Sequence, residues 1–140
     1  MKYLGVKIVD AEPMCEFDFL NFSDKGKAIV SSEYINREGY KVVYEDGYTS
    51  WSPKEVFEKA YRPITGLTFG LAIEALKQGK KVARAGWNGK GMYLLFLNGK
   101  TTDFGYTLLP YIGLKTVDDN FVPWVASQTD MLAEDWMIVE

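Results

Sequence analysis

The stretch TFGLAIEALKQGKKVARAGWNGKGMYLLFL, residues 68–97, decides how the C-terminal half of this chain folds. Its first part predicts a helix that Thr68 caps and Gly79 ends. The apolar side chains that share one face of this helix are Phe69, Ala72, Ile73 and Leu76. Its second part predicts short strands at residues 82–84 and 92–97, with a glycine-rich loop between them.

Further strands are predicted downstream, at residues 108–115, 121–125 and 136–139, with a turn at Asp118-Asp-Asn120. Asn98-Gly99 predicts a tight turn directly after the strand at residues 92–97. One helix followed by a meander of strands is typical of an α+β fold. We therefore expect short helices packed on an antiparallel sheet.

The N-terminal part of the chain predicts a separate, β-rich arrangement. Residues 2–13 alternate apolar and polar side chains, as a half-buried strand does. Residues 15–22 suit either a short helix or a loop, and residues 25–37 predict a polar connection with a brief strand near residues 28–30. Residues 40–44 and 48–51 flank Glu-Asp-Gly, which predicts a hairpin.

A helix start follows the hairpin. Ser52 is the predicted cap, Pro53 suits the first helical position, and Glu55 completes a capping box. Pro63 predicts that this helix stops at about Arg62.

A domain boundary is predicted at Pro63-Ile-Thr-Gly66. Residues 1–63 are then a small β-rich module with a terminal helix, and residues 64–140 are the second domain.

Composition narrows the classes of function. The 140 residues are 47% hydrophobic and 15% aromatic, which indicates a globular protein with a real core. No histidine is present and Cys15 is the single cysteine, so a cysteine or histidine zinc site and a histidine-assisted nucleophile are excluded. The acidic pairs Asp118-Asp119 and Glu134-Asp135 do not aim two carboxylates at one bond. We expect neither an enzyme nor a bound metal or cofactor.

No apolar run is long enough to span a membrane, and the N-terminus lacks the apolar core of a signal peptide, so a cytoplasmic protein is predicted.

Charge is unevenly distributed along the chain. The net charge is −3, but residues 75–102 contain six Lys or Arg and no acid, so the remainder carries −3 − 6 = −9. This favours a small local anion site over binding of a long nucleic acid. For Lys77, Lys80 and Lys81 a solvated lysine face is the better interpretation, since cations favour the end of a helix.

The loop Arg84-Ala-Gly-Trp-Asn-Gly-Lys-Gly-Met92 resembles a ligand loop. Its glycines let the backbone approach a bound group closely. Trp87 offers a flat face, Asn88 a paired donor and acceptor, and Arg84 or Lys90 a positive charge for a pyrophosphate. These groups suit the binding of a nucleotide. The alternative is that Trp87 is a core residue, which is the commoner role of a lone tryptophan in a strand-rich domain.

A second motif, Ser127-Gln-Thr-Asp-Met-Leu132, predicts a short capped helix. Ser127 as the cap leaves the backbone N–H groups of Gln128 and Thr129 free, and such groups bind phosphates. Asp130 either completes the cap or accepts hydrogen bonds from ribose hydroxyls.

The strand at residues 92–97 is apolar without alternation. An antiparallel strand of this kind needs cover on both faces, from the N-terminal module or from another copy of the chain. We favour another copy, and so expect a homo-oligomer.

Residues 67–140, through LTFGLAIEALKQGKKVARAGWNGKGM and VPWVASQTDMLAEDW, resemble the phage family of the second Thoeris anti-defence proteins. The resemblance implies a homotetramer in the cytoplasm of the infected bacterium. Such a tetramer sequesters, without degrading it, the cyclic ADP-ribose isomer of Thoeris immunity, 1''-3' glycocyclic ADP-ribose. It also implies a pocket between protomers that contains Trp87, with Asn88 and residues 127–130 matching by motif.

Related functions come with the same resemblance. Some relatives hold cyclic oligonucleotides of CBASS immunity in a separate pocket, and some similar domains are described as inhibitors of CRISPR nucleases. The leading hypothesis is a non-catalytic sponge, and the alternative is a protein-binding inhibitor of a host defence nuclease. Residues 1–63 lie outside the resemblance, and residues 98–109 carry little recognisable sequence.

Overall fold

The computed structural model describes residues 1–23, 35–87 and 91–140. The chain divides into two compact units, Met1–Arg62 and Pro63–Glu140. The described residues form four short helices and two antiparallel sheets, of three and five strands, which confirms the α+β prediction. None of the helices in these ranges is long and apolar enough to cross a membrane.

The first unit is a three-stranded sheet with a helix after its first strand and another after its last. Its elements in chain order are β1 (Asp10–Pro13), α1 (Glu16–Phe22), β2 (Gly39–Val43), β3 (Thr49–Pro53) and α2 (Lys54–Ala60). The strand order is β1-β2-β3. The predicted hairpin is confirmed, and the N–H of Tyr44 donates to the carbonyl of Tyr48 across its turn. Of the two alternatives for residues 15–22, the helix is correct. The brief strand predicted near residues 28–30 lies outside the described residues.

The strand predicted at residues 2–13 is wrong for residues 2–9. Pairing begins at Asp10, which lies opposite Val43, and the chain turns directly after Val43. Residues 2–9 therefore have no strand opposite them on β2, and Leu4 is 97% exposed. Alternation alone does not form a strand when no neighbour supplies the hydrogen bonds.

The capping box predicted for α2 is also wrong. The cap position is Pro53, with no side-chain hydrogen bond, and the helix starts at Lys54. Ser52 instead pairs with Tyr40 in the sheet, and this pairing keeps the chain extended for one residue longer. The helix ends at Ala60, close to the predicted stop.

The second unit is a five-stranded antiparallel sheet in the order β7-β6-β5-β4-β8. Its elements are α3 (Phe69–Lys77), β4 (Lys81–Arg84), β5 (Tyr93–Leu97), β6 (Tyr111–Lys115), β7 (Phe121–Pro123), α4 (Gln128–Met131) and β8 (Trp136–Val139). Every strand predicted in this half is present, although β6 begins only after Pro110 because proline cannot donate to a ladder.

Helix α3 covers one face of this sheet. The hydroxyl of Thr68 accepts the N–H of Leu71 at 3.4 Å, and Gly79 follows the helix with a φ of 80°. The predicted cap and end are thus confirmed. The apolar face of α3 packs on β4, β5 and β8. The fully or nearly fully buried residues around this contact are Leu67, Ala72, Ala75, Leu76, Val82, Leu94 and Trp136.

The tight turn predicted at Asn98-Gly99 is wrong. The chain reverses later, where the N–H of Thr102 donates to the carbonyl of Tyr106 at 2.7 Å. Gly99 serves a close approach instead, because a Cβ there would lie 1.6 Å from the carbonyl oxygen of Leu108. The glycine of the Asn98-Gly99 pair therefore reflects close contact between the backbones at Gly99 and Leu108, and not a tight turn.

The opposite side of this sheet, which we call the outer face, carries the side chains of β5 that alternate with buried Leu94. These are Tyr93, Leu95 and Leu97, each only partly buried. Strand β8 adds Met137 and Val139 to the same face by its register with β4. The outer face is thus largely apolar along β5, as residues 92–97 predict, and it also carries Lys81 and Lys115, whose ammonium groups lie over the Tyr93 ring.

Candidate functional site

The two sequence motifs meet at one end of the five-stranded sheet. Arg84 is the last residue of β4, and its Nη1 lies 3.0 Å from Oδ1 of Asp130 in the second motif. Nε of the same guanidinium lies 2.9 Å from Oδ1 of Asp135. Segments separated by more than forty residues of chain are thus held within hydrogen-bond distance of each other.

The second motif forms the predicted capping box. The N–H of Asp130 donates to Oγ of Ser127 at 3.1 Å, and the N–H of Ser127 donates to Oδ2 of Asp130 at 3.1 Å. The predicted cap is confirmed, and Asp130 completes it. Gln128 and Thr129 lie on the exposed side of this turn.

Arg84 lies between two carboxylates. Hydrogen bonds to Asp135 and Asp130 raise the pKa of the Arg84 guanidinium above its ordinary value. The hydrogen bond from Arg84 lowers the pKa of Asp135. Burial acts to raise the pKa of Asp130, but the hydrogen bonds from Ser127 and Arg84 outweigh it and lower that pKa. Both acids therefore stay ionised and act as acceptors near neutral pH.

Trp87 packs on the core with part of its indole still accessible. Its ring centroid lies 5.5 Å from that of Trp136 at 77°, and 6.4 Å from that of Trp124 at 60°. Phe69 completes the aromatic cluster by contacting Trp124 and Trp136. Trp87 is thus half-buried rather than enclosed, so a packing role and a binding role are compatible.

The start of the glycine loop is tied to Asp135. The N–H of Ala85 donates to the Asp135 carbonyl at 3.1 Å. Gly91, at the far end of the loop, has a φ of 79°, which explains a glycine there. The predicted ligand contacts Asn88 and Lys90 lie outside the described residues.

Two residues of this site were not predicted. Asp135 is the main partner of Arg84, and Trp136 is fully buried, with Nε1 donating to the carbonyl of Asp130 at 2.9 Å. Their places follow from the register of β4 with β8, in which Arg84 lies opposite Trp136. Only a correct prediction of how β4 pairs with β8 would have identified Asp135 and Trp136 as residues of the site.

The described site is built of hydrogen-bonding groups around an aromatic ring. Within residues 1–23, 35–87 and 91–140, no three His, Cys, Asp or Glu side chains cluster closely enough to hold a metal ion. The arrangement offers a partly accessible indole beside exposed amide, hydroxyl and backbone groups. Such groups bind and orient a planar polar ligand.

The comparisons with known proteins concern the second unit. The family model described as a Thoeris anti-defense 2-like domain matches residues 67–139, just over half of the chain. The chain is also similar to a protein named Thoeris anti-defense 2 from Bacillus phage SP01. The two are 45% identical over 86 residues, which cover 54% of this chain and 97% of the phage protein. This chain belongs to the Thoeris anti-defense 2-like family.

Proposed function

We propose that this protein is a phage anti-defence protein that binds and sequesters, without degrading it, a cyclic nucleotide immune signal. The proposed signal is 1''-3' glycocyclic ADP-ribose of Thoeris immunity. The observation that carries the proposal is the meeting of the Trp87 loop and the Ser127 turn inside the segment that matches the family.

The proposed contacts divide the ligand between the two motifs. Trp87 stacks on the adenine, Asn88 bonds the base or ribose, and Lys90 neutralises the pyrophosphate. Ser127, Gln128, Thr129 and Asp130 supply polar groups on the other side, and Arg84 joins the two sides. Stacking of one base contributes about 1–3 kcal/mol, and each charge-assisted hydrogen bond to a phosphate about 1.5–3 kcal/mol. Two or three such terms sum to about 2.5–9 kcal/mol, which offsets much of the cost of association.

The proposal includes no chemical step. Both carboxylates of the site are bonded to Arg84, and their lowered pKa values make them poor proton donors. The sequence also contains no histidine to act as general base. A site built from such residues binds its ligand and releases it chemically unchanged.

The outer face supports packing against another copy of the chain, a contact that the proposed homotetramer requires. Leu95 and Leu97 are only partly buried within the chain, although they lie in the middle strand of the sheet. A second copy packed on this face would remove these side chains from water. In the proposed assembly, the pocket lies between protomers. The proposed location of the protein is the cytoplasm of the infected host.

A sequestration experiment tests the function. The protein is incubated with the cyclic ADP-ribose isomer or with a CBASS cyclic oligonucleotide, unbound material is removed, and the ligand is released by heat and identified. Intact ligand in the heat-released fraction is the expected result. An altered product would show an enzyme instead, and no depletion of any signal would favour the protein-binding inhibitor.

A further inference from the structure

Arg84 occupies the centre of the site but has its hydrogen bonds directed at the protein. Three are formed with carboxylate oxygens: Nε to Asp135 Oδ1 at 2.9 Å, Nη2 to Asp135 Oδ2 at 3.4 Å, and Nη1 to Asp130 Oδ1 at 3.0 Å. Two carboxylates against one guanidinium leave this cluster with one net negative charge. A phosphate approaching Arg84 would meet that charge, which disfavours binding there.

Two connections lead from this cluster to Trp87. In the first, the backbone carbonyl of Asp135 accepts the N–H of Ala85, which lies two residues before Trp87 in the sequence. In the second, the backbone carbonyl of Asp130 accepts the Nε1–H of Trp136. The ring of Trp136 in turn contacts that of Trp87 at a centroid distance of 5.5 Å. The two acids that pair with Arg84 are thus also bonded to the backbone just before Trp87 and to the tryptophan ring that packs on it.

We infer that Arg84 is a positioning residue, which holds Trp87 in place against the Ser127–Asp130 turn rather than contacting the phosphates of the ligand. The inference rests on the proposed function, because it assigns a role within that ligand site. It applies the general rule that a binding group is effective when its own neighbours lock it in place.

The two roles of Arg84 predict opposite effects of the same substitution. If Arg84 contacted a phosphate, Asp135→Asn would free the guanidinium from a competing carboxylate and strengthen ligand binding. If Arg84 positions Trp87, Asp135→Asn removes one of the ion pairs on which that position depends and weakens binding. Asn at this position has nearly the same size as Asp, so the change mainly removes charge.

The experiment measures the affinity for 1''-3' glycocyclic ADP-ribose by calorimetry, in the full chain, for Arg84→Gln, Asp135→Asn and the double variant. We expect each single variant to bind about tenfold more weakly, a typical size for coupling between sites, and the double variant to bind no more weakly than either. Glu74→Gln is the control, because Glu74 forms an exposed ion pair with Lys77 on α3. Tighter binding by Asp135→Asn, additive losses, or unchanged affinity in the single variants would overturn the inference.

A second measurement separates this inference from the proposed function. If the unaltered protein does not bind the ligand, the proposed function fails, and amide hydrogen exchange still tests the positioning role. We expect Arg84→Gln to accelerate exchange at Trp87 at least tenfold while Leu94 in the core keeps its protection, because the loosening is local. Equal changes at both amides would show a general loss of stability and overturn the inference, as would no change at Trp87.

Discussion

At the scale of single residues, Trp87 combines packing and proposed binding in one side chain. Its contacts with Trp136 and Trp124 explain its place in the core cluster, and its partial exposure leaves indole surface for a ligand. Truncation of a fully buried tryptophan costs about 3–5 kcal/mol. A half-buried one costs less, so its variants should fold.

We predict that Trp87→Phe and Trp87→Leu separate the two roles. Both retain an apolar side chain against Trp136, so their melting temperatures should be similar. The phenylalanine keeps a ring for stacking, and the leucine should lose about 1–3 kcal/mol of binding free energy. Calorimetry with the ligand and a thermal melt on each variant test this. Equal affinities for the two variants would show that Trp87 has a purely structural role.

The carboxylates of the site predict a dependence of stability on pH. The pKa of Asp135 is lowered in the folded state, mainly by the hydrogen bond from Arg84. Its contribution to the free energy of unfolding is therefore present above the unfolded pKa of about 3.9. That contribution is lost as the pH falls through the lower folded value.

We expect Asp135→Asn to show a shallower loss of stability below about pH 4 than the unaltered protein. Urea unfolding at a series of pH values measures this, with Glu74→Gln as the comparison. Parallel curves for Asp135→Asn and the unaltered protein would mean that the Arg84 pair does not stabilise the fold.

At the scale of secondary-structure elements, the middle strand β5 has apolar side chains on the outer face that the chain leaves only partly buried. We predict that Leu95→Glu dissociates the assembly or unfolds it, because a carboxylate buried at an interface without a partner is costly. Leu4→Glu is the matched control, since Leu4 is 97% exposed in the first unit. Light scattering on both variants tests the prediction. An unchanged size for Leu95→Glu would exclude the outer face as the interface.

The first residues of the second unit determine where a fragment of the chain must begin in order to fold. The N–H of Ile138 donates to the carbonyl of Ile64 at 2.9 Å, and Leu67 forms a bridge with Trp136. We predict that residues 64–140 fold and bind ligand alone, whereas residues 69–140 lose both this pairing and the Thr68 cap and unfold. Circular dichroism and calorimetry on both fragments decide this. If residues 64–140 fold but no longer bind, the first unit contributes to the pocket.

Local signals in the sequence predicted the elements better than the contacts between them. The spacing of Ala72 and Leu76 identified the buried face of α3, because helical periodicity is a property of neighbouring residues. The signal at Asn98-Gly99 failed because close approach of Leu108, and not a turn, requires Gly99. Ser52 failed as a cap because pairing within the sheet outweighed it. The partnership of Arg84 with Asp135 depends on strand register, which no local pattern contains.

At the scale of the whole molecule, the family match and the site lie together in the second unit, Pro63–Glu140. The family model begins at residue 67, so the first unit, Met1–Arg62, lies outside it. We propose that a tetramer of this chain retains an intact immune signal through the second unit. Such a protein must assemble, bind the signal and leave it chemically unchanged.

Native mass spectrometry of the protein incubated with 1''-3' glycocyclic ADP-ribose tests assembly, binding and the integrity of the ligand at once. We predict a particle of four chains whose mass is increased by whole ligand masses, and whose Trp87→Leu variant assembles with a smaller ligand-bound fraction at the same ligand concentration. The ligand released in the gas phase should have its original mass. A particle that assembles without bound ligand, a monomer that carries the ligand, or a ligand of altered mass would each rule out a tetrameric sponge.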